Sequence, residues 1–444
     1  MNYNQVVVYE VEVETKEPFY IGSNDVGEVL KHPVTGIPFL PATAIAGVLN
    51  HYVKENYQEN CFAYTLIDNG GTGRKNKGVL KIRDGVFQKE TVKFELRERI
   101  KINGHYGVVG SRTNRGSDAQ SGQKFSQEFI TQGAKLCFTI EYNGQEEDVD
   151  QAMKILEDCF EAIECGDIVF GGQISQGCGK ITICKIKKYR YNLQKEKDRN
   201  AYLSGEKCRY EKVTLKGKTN RAQKRIFELK GTVKQALLVK LMKKEFVNGV
   251  KVTVAGNMRN GHGDFMIPGS SIKGVFRNQV EKILSVYFEE EEKIQLIIEK
   301  MFGSETQIGI LKFQDIIIKM KEEKRGKQYQ NRIRIDYFTG SVFHGGLLYE
   351  EPIKGEIELR VEQKRLDIEE ADMITALLLF VFRDIAEQQV SFGSSASIGR
   401  GFIDVQTISL YGDTEIEIYP DIKDCENKIP VYLGKLKEEV TKNV

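Results

Sequence analysis

The chain has 444 residues, of which 40% are hydrophobic and 29% are charged, and its formal net charge is +2. This length suits two globular cores better than one, and no apolar run approaches the roughly 18 residues of a membrane-spanning helix, so we expect no membrane partner. The eight cysteines include no C-x-x-C pair and the five histidines no H-x-x-x-H pair, which argues against a bound structural metal or a disulfide framework and favours a reducing cytoplasm.

The first half begins with a predicted strand at 6–15, where apolar and polar residues alternate, and a loop follows at 22–27. Thr43 is a suitable N-cap for a helix that runs to Lys54. Residue types and periodicity predict the remaining elements of this half. They are strands at 92–102 and 134–142, a helix at 149–163, a glycine loop and an exit strand at 180–186.

The second half repeats this order of elements. Ser270 or Ser271 is the predicted N-cap of a helix from 272 to about 288. The elements that follow are strands at 332–337 and 355–361, a helix at 371–387, a second glycine loop and an exit strand at 402–408.

Four blocks of sequence occur twice, in the same order, in the two halves. Pro41 and Pro268 are separated by the same number of residues as Gly47 and Gly274, and the later blocks keep nearly the same spacing. Such long-range self-similarity predicts a duplicated domain. The paired blocks are 37–47 with 264–274, 79–84 with 310–315, Glu128 and Gly133 with Glu350 and Gly355, and 170–179 with 392–401.

The element order predicts an α+β protein of two ferredoxin-like, RNA-recognition-like domains with antiparallel sheets and insertions. We place the first domain at 1–186, a basic linker at 187–230, the second domain at 231–410 and a C-terminal extension at 411–444. The segment 185–230 holds 16 Lys and Arg against five Asp and Glu. Clustered cations are typical of a phosphate-contacting surface, although a solvated linker has the same composition.

The repeated proline pattern precedes a predicted helix in each half, and the free N–H groups of a helix start attract anions. In the second half this start carries Ser270, Ser271, Lys273 and, one turn on, Arg277, which together form a candidate phosphate site. The first half lacks both cations and keeps Thr43. The alternative is that a serine caps the helix and the lysine is solvated.

Two glycine loops occupy the same position in the two halves, each with a cation beside it. Glycine lets the backbone approach a ligand and exposes N–H groups, so both loops are candidate RNA contacts, although tight turns also need glycine. Neither loop has the G-x-x-x-x-G-K-[ST] pattern, so we expect no nucleotide or organic cofactor. The candidates are Gly171, Gly172, Gly177, Gly179 and Lys180 in the first loop, and Gly393, Gly399, Arg400 and Gly401 in the second.

A third group combines arginines with aromatic residues. Arg112 and Arg115 lie in a stretch rich in glycine and serine, and Arg334 precedes Tyr337 and Phe338 in the second half. Arginine grips phosphates or stacks on bases, and aromatic rings supply stacking faces, so we expect RNA contacts here. A hairpin with solvated cations is the alternative.

The helix-start patterns at 33–47 and 267–277, the segments 302–304 and 335–340 and both glycine loops resemble the RAMP superfamily of CRISPR-associated proteins. The resemblance spans most of both halves. It implies two fused backbone-type domains of a type III interference complex, with guide RNA, target RNA and other effector subunits as partners. It also implies that the glycine-loop and helix-start residues named above contact the guide.

In some backbone subunits that this chain resembles, an aspartate after the first strand cuts the paired target RNA with a divalent metal. Asp25 is the nearest acid here, about one residue out of register, and the equivalent stretch at 252–256 has no acid. The resemblance thus implies at most one cleavage site, at Asp25, with a divalent ion such as Mg²⁺ as cofactor. An Asx turn in Gly-Ser-Asn-Asp is the structural alternative.

Two other functions remain open. A guide-processing endoribonuclease of the same superfamily needs a general base, for which His32 and His51 are the candidates near the first helix-start pattern. A non-catalytic scaffold needs neither a base nor a metal. Replacing Asp25 with alanine separates the cleavage hypothesis from the scaffold.

Overall fold

The computed structural model describes residues 3–23, 26–57, 79–100, 124–208, 210–215, 224–247, 249–304, 306–320, 329–364, 368–412 and 415–441. The chain divides into two compact units. The first contains Met1–Arg99, Phe125–Ile174 and Cys178–Asn220, and the second contains Arg221–Val444 together with Ser175–Gly177. Over the described ranges, we find no helix with the length and apolar character needed to cross a membrane.

Alternating residues place the first strand of the first unit in a sheet with one face towards a core. Val7, Tyr9, Val11 and Val13 are buried on that face, as a period of two predicts. The strands of this unit are β1 (Gln5–Thr15), β2 (Phe39–Leu40), β3 (Leu80–Ile82), β4 (Gly85–Phe87), β5 (Phe94–Ile100), β6 (Lys124–Ile130), β7 (Lys135–Gly144), β8 (Ile181–Asn192) and β9 (Glu211–Lys212).

Four of these strands form the order β4-β7-β1-β8, in which every neighbouring pair is antiparallel. Helices α1 (Ala42–Asn56) and α2 (Glu146–Cys165) contribute Leu49 and Phe160 to the core that this sheet covers. A third helix, α3 (Glu196–Ser204), follows β8, and its Tyr202 packs against a small cluster that includes Val6 of β1. The unit is therefore ferredoxin-like, with helices after the first and third strands of the sheet.

The second unit has the same plan. Its strands are β10 (Lys224–Val233), β11 (Lys240–Val247), β12 (Val250–Asn257), β13 (Met266–Ile267), β14 (Leu311–Phe313), β15 (Ile316–Ile317), β16 (Gln330–Ile335), β17 (Val342–Glu350), β18 (Glu356–Lys364), β19 (Ile403–Tyr411) and β20 (Glu415–Tyr419). The main sheet has the antiparallel order β14-β18-β10-β19-β20. A separate sheet has the order β11-β12-β17-β16.

In the described part of the second unit, the helices are α4 (Gly269–Tyr287), α5 (Glu291–Phe302), α6 (Ile368–Ala386) and α7 (Lys428–Thr441). Helix α6 has a large apolar face, on which Leu377, Val381 and Phe382 are fully buried, and α7 packs against it.

The two main sheets also share an irregularity. Cys184 interrupts the pairing of β8 with β1, and Gln406 interrupts the pairing of β19 with β10. Each is the extra residue of a β-bulge, which locally increases strand twist. The two bulges are separated by the same spacing as the glycine loops, so the duplication extends to this detail.

The predicted fold class, two ferredoxin-like domains with antiparallel sheets, is confirmed. The segment 187–230, predicted as a linker, contains the end of β8, α3, β9 and the start of β10. The segment 411–444, predicted as an extension, contains β20 and α7. The predicted domain boundaries themselves stay predictions.

Candidate nucleic-acid interface

An aspartate at matching positions of the two halves forms a hydrogen bond with the start of each helix. Helices α1 and α4 begin directly after Pro41 and Pro268, which occupy the N-cap position without a side-chain hydrogen bond. Instead, Oδ1 of Asp84 accepts a hydrogen bond from the first N–H of α1 at 2.7 Å, and Oδ1 of Asp315 accepts one from the first N–H of α4 at 2.7 Å. A carboxylate therefore already lies at each positively polarised helix start.

This arrangement corrects the predicted N-caps. Thr43, Ser270 and Ser271 lie inside the first turn of their helices rather than at the N-cap, because the prolines supply the required extended backbone. Thr43 and Ser271 are exposed. Their hydroxyls are thus not needed to cap the helices.

The cations of α4 differ in their surroundings. Nζ of Lys273 donates a hydrogen bond to Oγ of Ser175 at 2.9 Å, within the second unit. Arg277 is half-buried and forms no ion pair with any residue that the structure describes. The carboxylate of Asp315 would repel an anion at the first N–H of α4. Arg277 is therefore a stronger candidate for a phosphate contact than the helix start itself.

Each glycine loop folds closely on itself. Gly179 has a φ of 93° and Gly401 a φ of 82°, in the left-handed region that favours glycine. A Cβ atom added at either position would overlap the carbonyl oxygen of the phenylalanine that begins the loop, Phe170 or Phe392. The packing of the loop itself therefore requires both glycines.

Several N–H groups of these loops already have acceptors. The N–H of Gly172 donates to the backbone carbonyl of residue 20 at 2.8 Å, and the N–H of Gly179 donates to that of residue 18 at 2.9 Å. The N–H of Gly401 donates to the carbonyl of Ala236 at 2.8 Å. This does not support N–H contacts to RNA at these three positions, since each donor is satisfied internally. The other candidate glycines, Gly171, Gly177, Gly393 and Gly399, have φ values between 74° and 84°.

The cation of the second loop has a structural role. Arg400 is buried, and its Nη1 lies 2.6 Å from Oε2 of Glu350 while its Nη2 lies 2.9 Å from Oε1 of Gln330. Arg332 reaches the other oxygen of Glu350 at 3.2 Å. Arg400 thus ties the loop to β16 and β17, which does not support the predicted RNA contact. Lys180 of the first loop is half-buried.

The hairpin of β16 and β17 presents cations and rings to solvent. Tyr337 and Phe338 at its tip are each 93% exposed. Arg334 on β16 is exposed, and its guanidinium lies 4.9 Å from the ring centre of Phe343 on β17. This one hairpin carries the arginine and the two rings that the sequence singled out.

Asp336 fixes the shape of the hairpin tip. Its Oδ1 accepts hydrogen bonds from the N–H groups of Thr339 and Phe338 at 2.8 and 3.0 Å, and from Oγ1 of Thr339 at 2.9 Å. These bonds, with the backbone one from Thr339 first, hold the pKa of Asp336 below its usual value. The backbone that carries the two rings is therefore fixed in a turn, and neither ring is packed into a core.

Cations of the basic segment are paired with acids of β1. Nζ of Lys187 lies 3.2 Å from Oε1 of Glu12, and Lys207 pairs with Glu10. These lysines therefore neutralise acidic side chains on the sheet of their own unit. Their geometry does not support a phosphate-contacting role.

Three candidates, Asp25, Arg112 and Arg115, lie outside the described residues. The chain on either side of Asp25 is described: Gly22 and Val29 form an antiparallel bridge, and the N–H of Glu128 donates to the carbonyl of Gly27 at 2.7 Å. The loop that contains Asp25 is thus closed at its base and anchored to β6.

Among the described residues, no group of three or more His, Cys, Asp and Glu could hold a metal ion.

The two candidate general bases have structural partners. Nδ1 of His32 accepts hydrogen bonds from the N–H groups of Val34 and Thr35 at 3.2 and 3.4 Å and thereby closes a turn. Nε2 of His51 lies 3.1 Å from Oε1 of Glu55 on the exposed face of α1. Neither arrangement supports the guide-processing alternative.

Sequence reasoning missed the helix-start role of Asp84 and Asp315 and the hairpin of β11 and β12. For the aspartates a signal was available, since both end a repeated block. For the hairpin the signal was the alternation of Val250, Val252 and Val254 with Lys251 and Thr253 in β12.

Comparison with known families identifies both halves. The sequence model of the RAMP superfamily matches residues 12–182 and 246–404, which together make up more than half of the chain. Each matched region includes a helix start and a glycine loop. No curated protein matches this sequence. The chain therefore belongs to the RAMP superfamily, with one RAMP region in each half.

Proposed function

We propose that this chain is a guide-RNA-binding backbone subunit of a type III CRISPR interference complex. Proteins of the RAMP superfamily bind RNA and act in CRISPR complexes. The type III backbone role and the target RNA and effector subunits as partners are inferences from the pattern of helix starts and loops in both halves. The cytoplasm as the location is an inference from the scattered cysteines.

The observation that carries this proposal is the tip of the hairpin formed by β16 and β17. Tyr337 and Phe338 are almost fully exposed, yet Asp336 holds their backbone in one turn. Exposed rings on a fixed turn are typical of a binding surface. RNA-binding proteins use such rings to stack bases and nearby arginines to contact phosphates, and Arg334 supplies that cation.

We expect the double substitution Tyr337→Ala/Phe338→Ala to weaken binding of a guide-length single-stranded RNA to the full chain. Stacking is worth about 1–3 kcal/mol per base, so each ring lost lowers affinity at least about fivefold. Fluorescence anisotropy of the labelled RNA measures this change, and recovery of small RNA with the purified chain provides a second readout.

The matched control is Val286→Ala/Leu296→Ala, which removes two exposed apolar side chains from helices of the same unit. This control should bind RNA as the unaltered chain does. Equal affinity of the tip variant and the control would count against the proposal.

Cleavage of the paired target RNA at Asp25 is a second proposed function of this chain. It is supported by the closed base of the loop between Gly22 and Val29 and its anchor on Glu128. A divalent ion such as Mg²⁺, when bound, would polarise a phosphate oxygen. Asp25 would hold that ion beside the RNA.

A further inference from the structure

Strands β11 and β12 form a hairpin in the second unit whose register assigns each side chain to a face. Lys240 pairs with Asn257 at one end and Val247 pairs with Val250 at the other. Directly opposite residues of an antiparallel pair point to the same face. The hairpin therefore has two distinct faces, which can be compared residue by residue.

One face is bound to the rest of the unit. Nζ of Lys243 lies 2.6 Å from Oε2 of Glu351 and 3.0 Å from Oε1 of Glu245. Glu245 also accepts a hydrogen bond from Tyr329, and burial, together with this bond, raises the pKa of Tyr329 to about 12. The charges on this face are satisfied internally, and they fix how the hairpin is attached.

The opposite face carries cations and an aromatic ring. Lys240, Lys244 and Lys251 are exposed, and none of them forms an ion pair with any part of the chain that the structure describes. Phe246 is 73% exposed and lies directly opposite Lys251. No Asp or Glu of the two strands lies on this face. We call Lys240, Lys244, Phe246 and Lys251 the lysine face.

These residues favour a polyanion over an apolar protein partner. Cations that no acid neutralises gain affinity for nucleic acid by releasing counterions. Along β11 they alternate with Met242 and Phe246, so the apolar area is broken up by charge rather than continuous. A double helix keeps its bases stacked and offers none to Phe246, whereas a single strand does.

We propose that the lysine face binds single-stranded RNA, with phosphates on its three lysines and one base stacked on Phe246. This site is distinct from the tip formed by Tyr337 and Phe338. It rests on the proposed function only in taking RNA as its ligand. Because backbone charge and a ring provide the contacts, binding is independent of base sequence.

The test uses the full chain and a fluorescent oligouridylate, with affinity measured over a series of salt concentrations. Lys240→Gln/Lys244→Gln/Lys251→Gln should reduce the slope of log affinity against log salt by about 2, since each phosphate contact to a single strand contributes about 0.7. Phe246→Ala should lower affinity about 5- to 150-fold with little change in that slope, and Phe246→Tyr should restore it.

The matched control is Lys282→Gln/Lys319→Gln/Lys437→Gln, which removes the same charge from exposed lysines elsewhere in the second unit. All of these side chains are exposed, and unchanged urea midpoints will show that the variants fold. An equal loss of RNA affinity in the control would show that net charge alone causes the effect, and it would overturn the proposal. The proposal would also be overturned if the lysine-face variants kept their RNA affinity but no longer copurified with an effector subunit, because this face would then be a protein-binding surface.

The tip variant separates this inference from the proposed function. If the lysine-face variants bind like the unaltered chain while Tyr337→Ala/Phe338→Ala weakens binding, the lysine face is not an RNA site and the proposed function stands. If the lysine-face variants lose affinity and the tip variant does not, the lysine face stands without the tip. Absence of RNA binding by the unaltered chain contradicts both.

Discussion

At the scale of single residues, the repeat places the same acid in two different environments. Glu128 and Glu350 occupy matching positions. The Glu128 side chain is 22% exposed and pairs with Lys31 at 2.9 Å. That of Glu350 is 4% exposed and pairs with Arg400 and Arg332. An ion pair near water contributes little to stability, whereas a buried charge that loses its partner is costly.

We therefore expect Glu350→Gln to lower the free energy of unfolding by about 3–5 kcal/mol, because it leaves the buried guanidinium of Arg400 without a counterion. Glu128→Gln should cost less than about 1 kcal/mol, since Lys31 remains solvated. Urea unfolding of the full chain, followed by circular dichroism, measures both. Similar losses for the two variants would contradict this account of burial.

Predictions from local sequence agree with the structure in exposure rather than in role. Tyr337 and Phe338, predicted as stacking faces, are exposed, although Tyr337 lies in the turn after β16 and not at the end of a strand. Their contact with RNA stays a prediction. The repeat marks the positions of Asp315 and Glu350 but not their roles, because each acts on a group more than 40 residues away in the sequence. Arg400 was predicted to contact RNA for the same reason: its buried acid is distant in sequence and close only in the folded chain.

At the scale of elements, both main sheets have a bulge in their exit strand, which accommodates one extra residue. In β19, Ile403 is buried before the bulge and Ile408 and Leu410 are buried after it. A regular strand cannot bury residues separated by an odd number of positions on one face. Gln406 is the extra residue that brings both sets to the core.

Deletion of Gln406 should therefore be tolerated, because Val405, Thr407 and Ile408 keep their partners on β10 and regular alternation is restored. Deletion of Ser409 should destabilise the second unit, because it moves Leu410 to the opposite face, at a cost of about 1.5–3 kcal/mol for the exposed side chain. Circular dichroism and urea midpoints of the two single-residue deletions measure the difference. A larger loss from deleting Gln406 would show that the twist of the bulge, rather than its register, is what the sheet requires.

The periodicity of apolar residues predicted the helices and the long strands, but it did not predict the short paired strands. The 20 residues of α2 and the 19 of α6 carry apolar residues at helical spacing, so both were predicted to within a few residues. Strands such as β13 and β15 have two residues each, too few for any period. The hairpin of β11 and β12 was missed because the second half was compared with the first, where the sequence predicts a loop at 22–27.

At the scale of the whole molecule, duplication preserved the scaffold and changed the surfaces. Both units keep the sheet order, the bulge, the helix-start aspartate and the tight glycine loop. The second unit carries the exposed rings and the lysine face among the described residues, and the first carries the loop that contains Asp25. The two proposals made above together give a division of roles in which the second unit holds RNA and the first acts on it.

That division predicts that Asp25→Ala will leave RNA binding unchanged and abolish target cleavage by the assembled effector complex. Loss of a carboxylate that holds a divalent ion should lower the cleavage rate by at least about 100-fold. The measurement is single-turnover cleavage of a labelled target RNA with Mg²⁺ and with a chelator, alongside binding of the same RNA. Asp150→Ala is the control, because Asp150 is an exposed aspartate on α2 of the same unit. Cleavage at the unaltered rate in Asp25→Ala would make the chain a non-catalytic backbone subunit, whereas loss of both cleavage and binding would assign Asp25 to the structure of its loop.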